Sequence, residues 1–187
     1  MIGAGPAGLM AAEELAKSGL VVWVVDAKPS FGRKFLMAGK SGLNLTKSEA
    51  QETFQAQFHA AQAPLRPMLD AFGPTQVAAW ATGLGQALFT GTTGRVFPTA
   101  MKASPLLRSW LERLDTLGVV RKTRWRWTGW EDGSLQFDTP QGRVSLNPKA
   151  TVLALGGGSW ARLGSDGKWV EHLQKQGISL APFQPAN

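Results

Sequence analysis

Three glycines at the start of the chain constrain its fold more than any other feature of the sequence. Gly3, Gly5 and Gly8 have the spacing G-x-G-x-x-G within "MIGAGPAGLM". In a dinucleotide-binding turn the first glycine allows a tight strand-to-helix turn, the second lets a pyrophosphate approach the backbone, and the third allows close helix–strand packing. Only Met1 and Ile2 precede the first glycine, so we expect the strand that leads into the turn to be truncated.

The residues after the turn follow the order of a β-α-β unit. Apolar residues recur on one face between Pro6 and Ser18, which predicts a helix that begins at a proline and ends before Gly19. The apolar run "LVVWVVD" then predicts a strand that is buried on both faces and ends at Asp26. Asp26 lies 18 residues beyond Gly8, where an acid accepts hydrogen bonds from a ribose and disfavours a ribose 2′-phosphate.

The middle of the chain predicts a loop, a set of helices and a hairpin. The glycine-rich stretch after Asp26, to about residue 49, is too long for a simple connection, and loops of that kind tend to be functional. Residues 50–80 have a helical pattern that we expect to break at Pro64, Pro67 and "FGP". The turn-rich stretch "GLGQALFTGTTGRVFP" predicts a short hairpin.

The second half predicts one more helix, a meander and a return to the parallel sheet. A helix is expected from about Ser104 to Leu117. A period of two then predicts a three-stranded antiparallel meander whose first strand is "VVRKTRWRWTGW", with turns at Asp132-Gly133 and Gln141-Gly142. The run "ATVLAL" predicts a buried strand that ends in a glycine cluster at Gly156 and Gly157, and a last helix follows over 167–176. The strand ahead of Gly3 should lie between this strand and "LVVWVVD".

These elements together predict an α/β fold, namely a Rossmann-like domain with a parallel sheet, a helical insertion and a three-stranded antiparallel β-meander. The predicted segments are the β-α-β start with its loop (1–48), the mainly helical insertion (49–118), the meander (119–148), and the return strand, glycine loop and helix (149–187).

Composition and charge exclude several classes of function. The chain has no cysteine, which excludes disulfides, cysteine-bound metals and thiol nucleophiles. His59 and His172 have no partners at metal or triad spacing, so we expect no metal site and name no catalytic residue. No apolar run reaches the roughly 18 residues of a membrane span, and we expect a cytoplasmic protein. The net charge of +7 suits either a phosphate-bearing ligand or nucleic acid.

The stretch "RKTRWRWTGW" has two interpretations. Cations interleaved with tryptophans are typical of surfaces that stack on nucleic-acid bases. The same pattern is typical of a strand with Trp125 and Trp127 on one face and Arg124 and Arg126 on the other. The period of two favours the strand, so we do not expect nucleic acid as a partner.

Four stretches of the sequence resemble a known family. "GAGPAGLMAAE", "GRKFLMAGKSGLNLT", "GRVFPTAMKASPLLRSWL" and "TVLALGGGSWARLGSDG" are similar to FAD-binding flavoproteins of the aminoacetone-oxidase-like, or NAD(P)/FAD-dependent oxidoreductase, family, whose nucleotide fold is of the glutathione-reductase type. The resemblance extends over essentially the whole chain. It implies that FAD is the cofactor, and it leaves NAD(P)H open as an electron donor.

The resemblance also implies a set of cofactor-binding residues. The pyrophosphate would be lined by Gly3, Gly5, Pro6, Ala7 and Gly8, and Asp26 would hold the adenosine ribose. Arg33 and Lys34 would stand beside the phosphates. The flavin side would be formed by Gly39, Lys40, Gly42 and Asn44, and the glycines of the second cluster, Gly156 and Gly157, would let the chain pass close to the cofactor.

Two departures from the family pattern bear on function. The stretch "AGKSGLNLT" stands where many relatives have the cysteine-containing "SGGGRCNxT", which places the chain with a cysteine-free subgroup. Family members are also much longer, with a second domain and a C-terminal flavin-binding motif. We therefore expect this chain to be a fragment that lacks both, and we expect the catalytic residues to lie beyond Asn187.

The expected function is FAD binding as part of a flavin-dependent oxidoreductase that transfers hydride or electrons to a small-molecule substrate. One alternative is a flavoprotein that modifies RNA, which the basic charge permits; RNA binding of that kind would weaken steeply with salt. Another alternative is a non-catalytic nucleotide-binding module. The sequence does not indicate the substrate or the oligomeric state.

Overall fold

The computed structural model describes residues 1–184, so the last three residues of the predicted final segment lie outside the described part. The helices there are α1 (Pro6–Lys17), α2 (Arg33–Ala38), α3 (Gln51–Ala56), α4 (Gln62–Ala71), α5 (Pro74–Gly83), α6 (Ala103–Thr116) and α7 (Trp169–Lys175). The strands are β1 (Trp23–Asp26), β2 (Thr46–Lys47), β3 (Leu88–Thr90), β4 (Arg95–Pro98), β5 (Val120–Thr123), β6 (Arg126–Glu131), β7 (Ser134–Thr139) and β8 (Gly142–Leu146). Within this range, each helix is too short or too polar to cross a membrane.

The chain forms two compact units. The first unit comprises Met1–Phe35 and the chain from Leu114 onward, and the second comprises Leu36–Arg113. The parallel strands, the glycine turn and the meander belong to the first unit. The fold class predicted from the sequence, a Rossmann-like α/β domain with parallel and antiparallel strands, is confirmed.

The parallel sheet of the first unit is centred on Ile2. Ile2 pairs in parallel with Val25 on one side and with Leu153 on the other. The Ile2 N–H donates to the Val152 carbonyl at 2.9 Å, and the Ala154 N–H donates to the Ile2 carbonyl at 2.8 Å. β5 pairs in parallel with the outer side of β1. The middle position predicted for the residues ahead of the glycine turn is therefore confirmed.

Two predicted strands are shorter and more exposed than the sequence pattern suggested. β1 begins at Trp23, whereas Leu20 and Val21 precede it and are 57% and 87% exposed. The run "ATVLAL" contributes only the bridge at Leu153, and Val152 is also exposed. An apolar run predicts a buried strand only if neighbouring elements cover it, and here Val22, Val24 and Val25 are buried whereas Leu20 and Val21 are exposed.

The meander is antiparallel, in the order β6–β7–β8. The predicted first strand, "VVRKTRWRWTGW", is wrong in its extent because it divides into β5 and β6. The division falls at Arg124, which has a left-handed φ of 60°. The Arg124 N–H donates to the Lys28 carbonyl and the Trp125 N–H to the Asp26 carbonyl, so the chain leaves the parallel sheet at this point. The turn predicted at Asp132-Gly133 is present.

The meander covers one face of the parallel sheet. Trp127, Leu135 and Phe137 pack with Ile2 and Val25 in one buried cluster. Trp127 of β6 thus points into the core, while Arg126 beside it is exposed. The alternation that favoured a strand over a base-stacking surface is confirmed for these residues.

α1 confirms the helix that the sequence predicted between the glycine turn and β1. Leu9 and Ala12 are fully buried, and Gly19 follows the helix with a φ of 80°. The sequence did not indicate that Glu13 is fully buried as well, with its carboxylate 2.7 Å from Lys17 Nζ. Partial burial opposes the charge on Lys17, but its hydrogen bonds to Glu13 and Glu14 outweigh this effect and raise its pKa.

The second unit combines α3, α4 and α5 with a three-stranded antiparallel sheet in the order β2–β4–β3. The predicted hairpin is present as β3 and β4.

The predicted loop after Asp26 is wrong in part, since it contains α2 and β2. The breaks predicted at Pro64 and Pro67 are also wrong. Pro64 lies in the first turn of α4, where its missing N–H is harmless, and α4 continues through Pro67. The break at "FGP" is confirmed, because α5 begins at Pro74.

α6 confirms the helix predicted ahead of the meander. Leu106, Leu107, Trp110 and Leu114 form its buried stripe. Gly118 follows the helix with a φ of 75°, which a residue with a side chain rarely adopts.

Burial of Leu9 should set the stability of the glycine turn. Replacing Leu9 by alanine removes a side chain that is fully buried in α1, and we expect the free energy of unfolding to fall by about 2–5 kcal/mol. Leu20→Ala is the matched control, because Leu20 is 57% exposed; we expect its effect to stay below about 0.5 kcal/mol. Urea denaturation followed by circular dichroism measures both values. Equal losses in the two variants would contradict the packing described for α1.

Candidate functional site

Gly3 and Gly8 are required by the protein's own backbone. Gly3 has a φ of 103°, and a Cβ atom built on it would lie 2.2 Å from the Ala154 carbonyl oxygen. A Cβ atom on Gly8 would lie 1.9 Å from the Gly3 carbonyl oxygen. Both distances are far below van der Waals contact. The two glycines therefore permit the tight turn and the close approach of α1 to the parallel sheet.

Gly5 has no such requirement inside the protein. A Cβ atom built on Gly5 would meet no atom within 4 Å, and the residue has an ordinary extended conformation with φ −81° and ψ 180°. Gly5 is the N-cap of α1, whose first N–H groups lack intrahelical partners. The open space at Gly5 adjoins a helix N-terminus, which favours negative charge. The arrangement suits an anionic group that approaches the backbone.

Asp26 holds the glycine turn in place. Its Oδ2 accepts a hydrogen bond from the Ala4 N–H at 2.9 Å, and its Oδ1 accepts one from the Lys28 N–H at 2.8 Å. This role was not foreseen from the sequence, which predicted only a contact with a ribose. Each carboxylate oxygen can accept more than one hydrogen bond, so the predicted ribose contact remains compatible with these two bonds.

Arg33 and Lys34 lie in the first turn of α2. The Arg33 Nη1 group donates to Ser30 Oγ at 3.3 Å, while its Nε atom is buried and has no hydrogen-bond partner within residues 1–184. Lys34 Nζ donates to Ser159 Oγ at 2.8 Å. An unpaired buried donor is costly, so an acceptor that reached the Arg33 Nε atom would remove this cost.

The second glycine cluster contributes Gly156 to the site. Gly156 has a φ of 73°, and its carbonyl oxygen accepts a hydrogen bond from Trp169 Nε1 at 3.0 Å. A Cβ atom on Gly156 would lie 2.7 Å from Ser165 Oγ. Gly157 has open space around it but is not among the residues that line the cleft described next.

A cleft of about 940 Å³ in the first unit brings many of the predicted residues together. Its volume falls within the range of ligand sites, roughly 300–1,000 Å³. The predicted site residues that line it are Gly3, Gly5, Pro6, Ala7, Asp26, Arg33, Lys34 and Gly156. Gly8 lies beneath the turn and acts through packing.

The remaining predicted residues belong to the second unit, and their part in cofactor binding stays a prediction. Gly39 is buried, and a Cβ atom on it would lie 2.6 Å from the Cβ atom of Ala103. Gly42 has a φ of 142° and lies against Met101. Lys40 and Asn44 are exposed.

The sequence did not identify the wall of the cleft formed by β6 and α7. Trp127 Nε1 and Thr128 Oγ1 are buried there without a hydrogen-bond partner among the described residues. His172 also lines the cleft, with its ring 5.0 Å from the ring of Trp127. The period of two in β6 was the available signal, but it indicates only which side chains share a face.

The family profile described as "HI0933-like protein Rossmann domain" matches residues 1–184. A curated protein, the 3-dehydro-bile acid delta(4,6)-reductase of Clostridium scindens, is 27% identical over 191 aligned residues. The alignment covers 100% of this chain and 45% of the reductase, so the chain spans about half the length of that relative.

Solved structures share the fold at low sequence identity. THI4 of Thermovibrio ammonificans aligns with a TM-score of 0.58 and 18% identity, over 95% of this chain and 62% of THI4. The 3-ketosteroid-delta4-(5alpha)-dehydrogenase of Rhodococcus jostii aligns with a TM-score of 0.61 and 16% identity, over 83% of this chain and 45% of that enzyme. These similarities support the fold assignment.

The glycines of the turn should differ in what they contribute to stability. Gly8→Ala places a Cβ atom 1.9 Å from the Gly3 carbonyl oxygen, and we expect it to lower the free energy of unfolding by about 1–3 kcal/mol or more. Gly5→Ala meets open space, and we expect a loss below about 1 kcal/mol, mainly from the weaker N-cap. Thermal and urea denaturation without added ligand measures both. A Gly5→Ala protein that is as unstable as Gly8→Ala would disprove this division of roles.

Proposed function

The chain belongs to the family of HI0933-like proteins with a Rossmann domain, and from this membership we propose that it binds FAD as the nucleotide-binding part of a flavin-dependent oxidoreductase. The single observation that carries the proposal is the contrast among the glycines of the turn. Gly3 and Gly8 have steric reasons within the protein, whereas Gly5 has none. A ligand that needs the backbone of Gly5 uncovered would account for the glycine at this position, and a pyrophosphate is such a ligand.

The chemistry of the cleft fits a dinucleotide. The pyrophosphate would lie at the N-terminus of α1, against Gly5, Pro6 and Ala7, where unpaired N–H groups and the helix dipole favour negative charge. Arg33 would donate its buried Nε–H to a phosphate oxygen. Asp26 would accept hydrogen bonds from the ribose while it continues to hold the Ala4 N–H.

The proposed reaction is an oxidation or reduction of a small molecule. Bound FAD supplies hydride and electron transfer, and the protein supplies position and electrostatics. The bile acid reductase is named for a reduction, which supports a redox function for this chain. We propose NAD(P)H as the electron donor, the aminoacetone-oxidase-like flavoproteins as the subgroup, and the cytoplasm as the location. Nucleic acid is not part of the proposal, because the Trp127 ring is buried in the core.

Replacing Gly5 by leucine should remove FAD binding and leave the fold intact. The new side chain would fill the space that the pyrophosphate needs, while its Cβ atom meets no protein atom within 4 Å. The measurement is the flavin content per protein, from visible absorption, after purification of the intact protein with added FAD. Circular dichroism checks that the variant remains folded.

A glycine elsewhere provides the control for this test. Gly91 also lies outside the left-handed region, and a Cβ atom on it would have ordinary contacts, the shortest 3.6 Å from Phe97. We expect Gly91→Leu to retain flavin at the wild-type ratio. Undiminished flavin in Gly5→Leu would refute the placement of the pyrophosphate, and a wild-type protein that binds no flavin would refute the proposed function.

A further inference from the structure

Residues 157–164, which we name the strap, connect Gly156 to Ser165 and Asp166, and all three of these residues line the cleft. The last two residues of the strap, Leu163 and Gly164, line the cleft as well. The strap is exposed over most of its length and contains a single 3₁₀ turn, at Ala161–Leu163.

The strap is fastened to the residues after β1 at two points. Lys34 Nζ donates to Ser159 Oγ at 2.8 Å and lies 3.5 Å from the Ser159 carbonyl oxygen. The methylene groups of Lys28 lie against Gly164, where a Cβ atom would be 3.2 Å from Lys28 Cε. These contacts join segments more than a hundred residues apart in the sequence. Lys28 and Lys34 also line the cleft, so the strap is attached along the rim of the site.

The fastened strap carries backbone strain. Trp160, directly after Ser159, has φ 65° and ψ 51°, a left-handed conformation that is unfavourable for a bulky residue. Its side chain is 53% exposed, so burial does not compensate for this conformation. The contact between Lys34 and Ser159 lies in solvent, where a single hydrogen bond is weak. Weak fastening and local strain are the properties of a segment that opens readily.

From these observations we infer that Lys34 is a positioning residue that holds the strap closed along the cleft and thereby slows the release of the bound dinucleotide. This inference rests on the proposed function, because the dinucleotide is its ligand. This role of Lys34 differs from the phosphate contact that its position in the sequence suggested. Lys34 acts on Ser159, and Arg33 beside it keeps its unpaired Nε atom for the phosphate.

The test compares variants that remove either side of the fastening contact. Lys34→Met removes the donor, and Ser159→Ala removes the hydroxyl acceptor without touching any charge. We expect each to raise the dissociation rate of FAD from the intact protein by about fivefold, the effect of one hydrogen bond. The double variant should be no faster than Lys34→Met alone, because both substitutions break the same contact. Lys149→Met, which changes an exposed lysine outside the cleft, is the matched control.

A second measurement does not depend on the cofactor. Amide hydrogen exchange in residues 157–164 of the flavin-free protein should speed up in Lys34→Met and Ser159→Ala and stay unchanged in Lys149→Met. Faster FAD release in Lys34→Met alone, with unchanged exchange, would mean that Lys34 binds phosphate and would overturn the inference. Wild-type release and exchange in both variants would overturn it too. Failure of the wild-type protein to bind FAD is a different result, since it removes the proposed function itself.

Discussion

The contact between α1 and the strand residues beneath it is the constraint on which the rest of the first unit depends. The Gly8 Cα atom faces the Gly3 carbonyl, and Ala154 of the returning chain meets both glycines, with a Cβ atom on Gly8 only 3.2 Å from the Ala154 Cβ atom. The turn, the helix and the third segment of the sheet therefore meet at one place, where the Ala154 methyl group is the side chain nearest to Gly8. This close approach places the N-terminus of α1 at the cleft and keeps Gly5 at its edge.

The sequence was informative where local chemistry decides the structure. α1 begins at Pro6 and ends before Gly19 as predicted, and Asp132-Gly133 forms the predicted turn of the meander. These features were predictable because the conformations of glycine and proline are set by the residues themselves. Pairing partners were less predictable. "VVRKT" has the alternation of a meander strand, yet β5 pairs with β1. A period of two shows which side chains share a face of a strand, but it does not show which other strand pairs with it. The burial predicted for Val21 was wrong, because within residues 1–184 this apolar side chain is left exposed to solvent.

The site was predictable to the extent that it depends on the glycine turn. Gly5, Asp26 and Arg33 share one cleft, as their order in the sequence suggested. The glycine-rich stretch that continues to Gly42 shows why composition alone could not complete the site. Gly39 is required by its contact with Ala103, so a glycine there has a cause within the second unit. A glycine can leave room for a ligand or for a neighbouring side chain. The sequence cannot distinguish the two cases, because in both of them the residue simply lacks a Cβ atom.

The charges of the cleft explain how a basic chain can favour an anionic ligand at one place. Five cationic side chains and three acidic ones line the cleft, which leaves an excess of positive charge. The two key side chains of opposite sign do not neutralise each other, since Asp26 is held by two backbone N–H groups and Lys34 by the neutral Ser159. Arg33 retains a buried donor with no acceptor among the described residues. Positive potential that has no internal partner attracts a ligand of opposite charge, and in a cleft with low-dielectric walls that attraction is stronger than on an open surface. Part of the net charge of +7 therefore lies in the cleft, beside the uncovered backbone of Gly5.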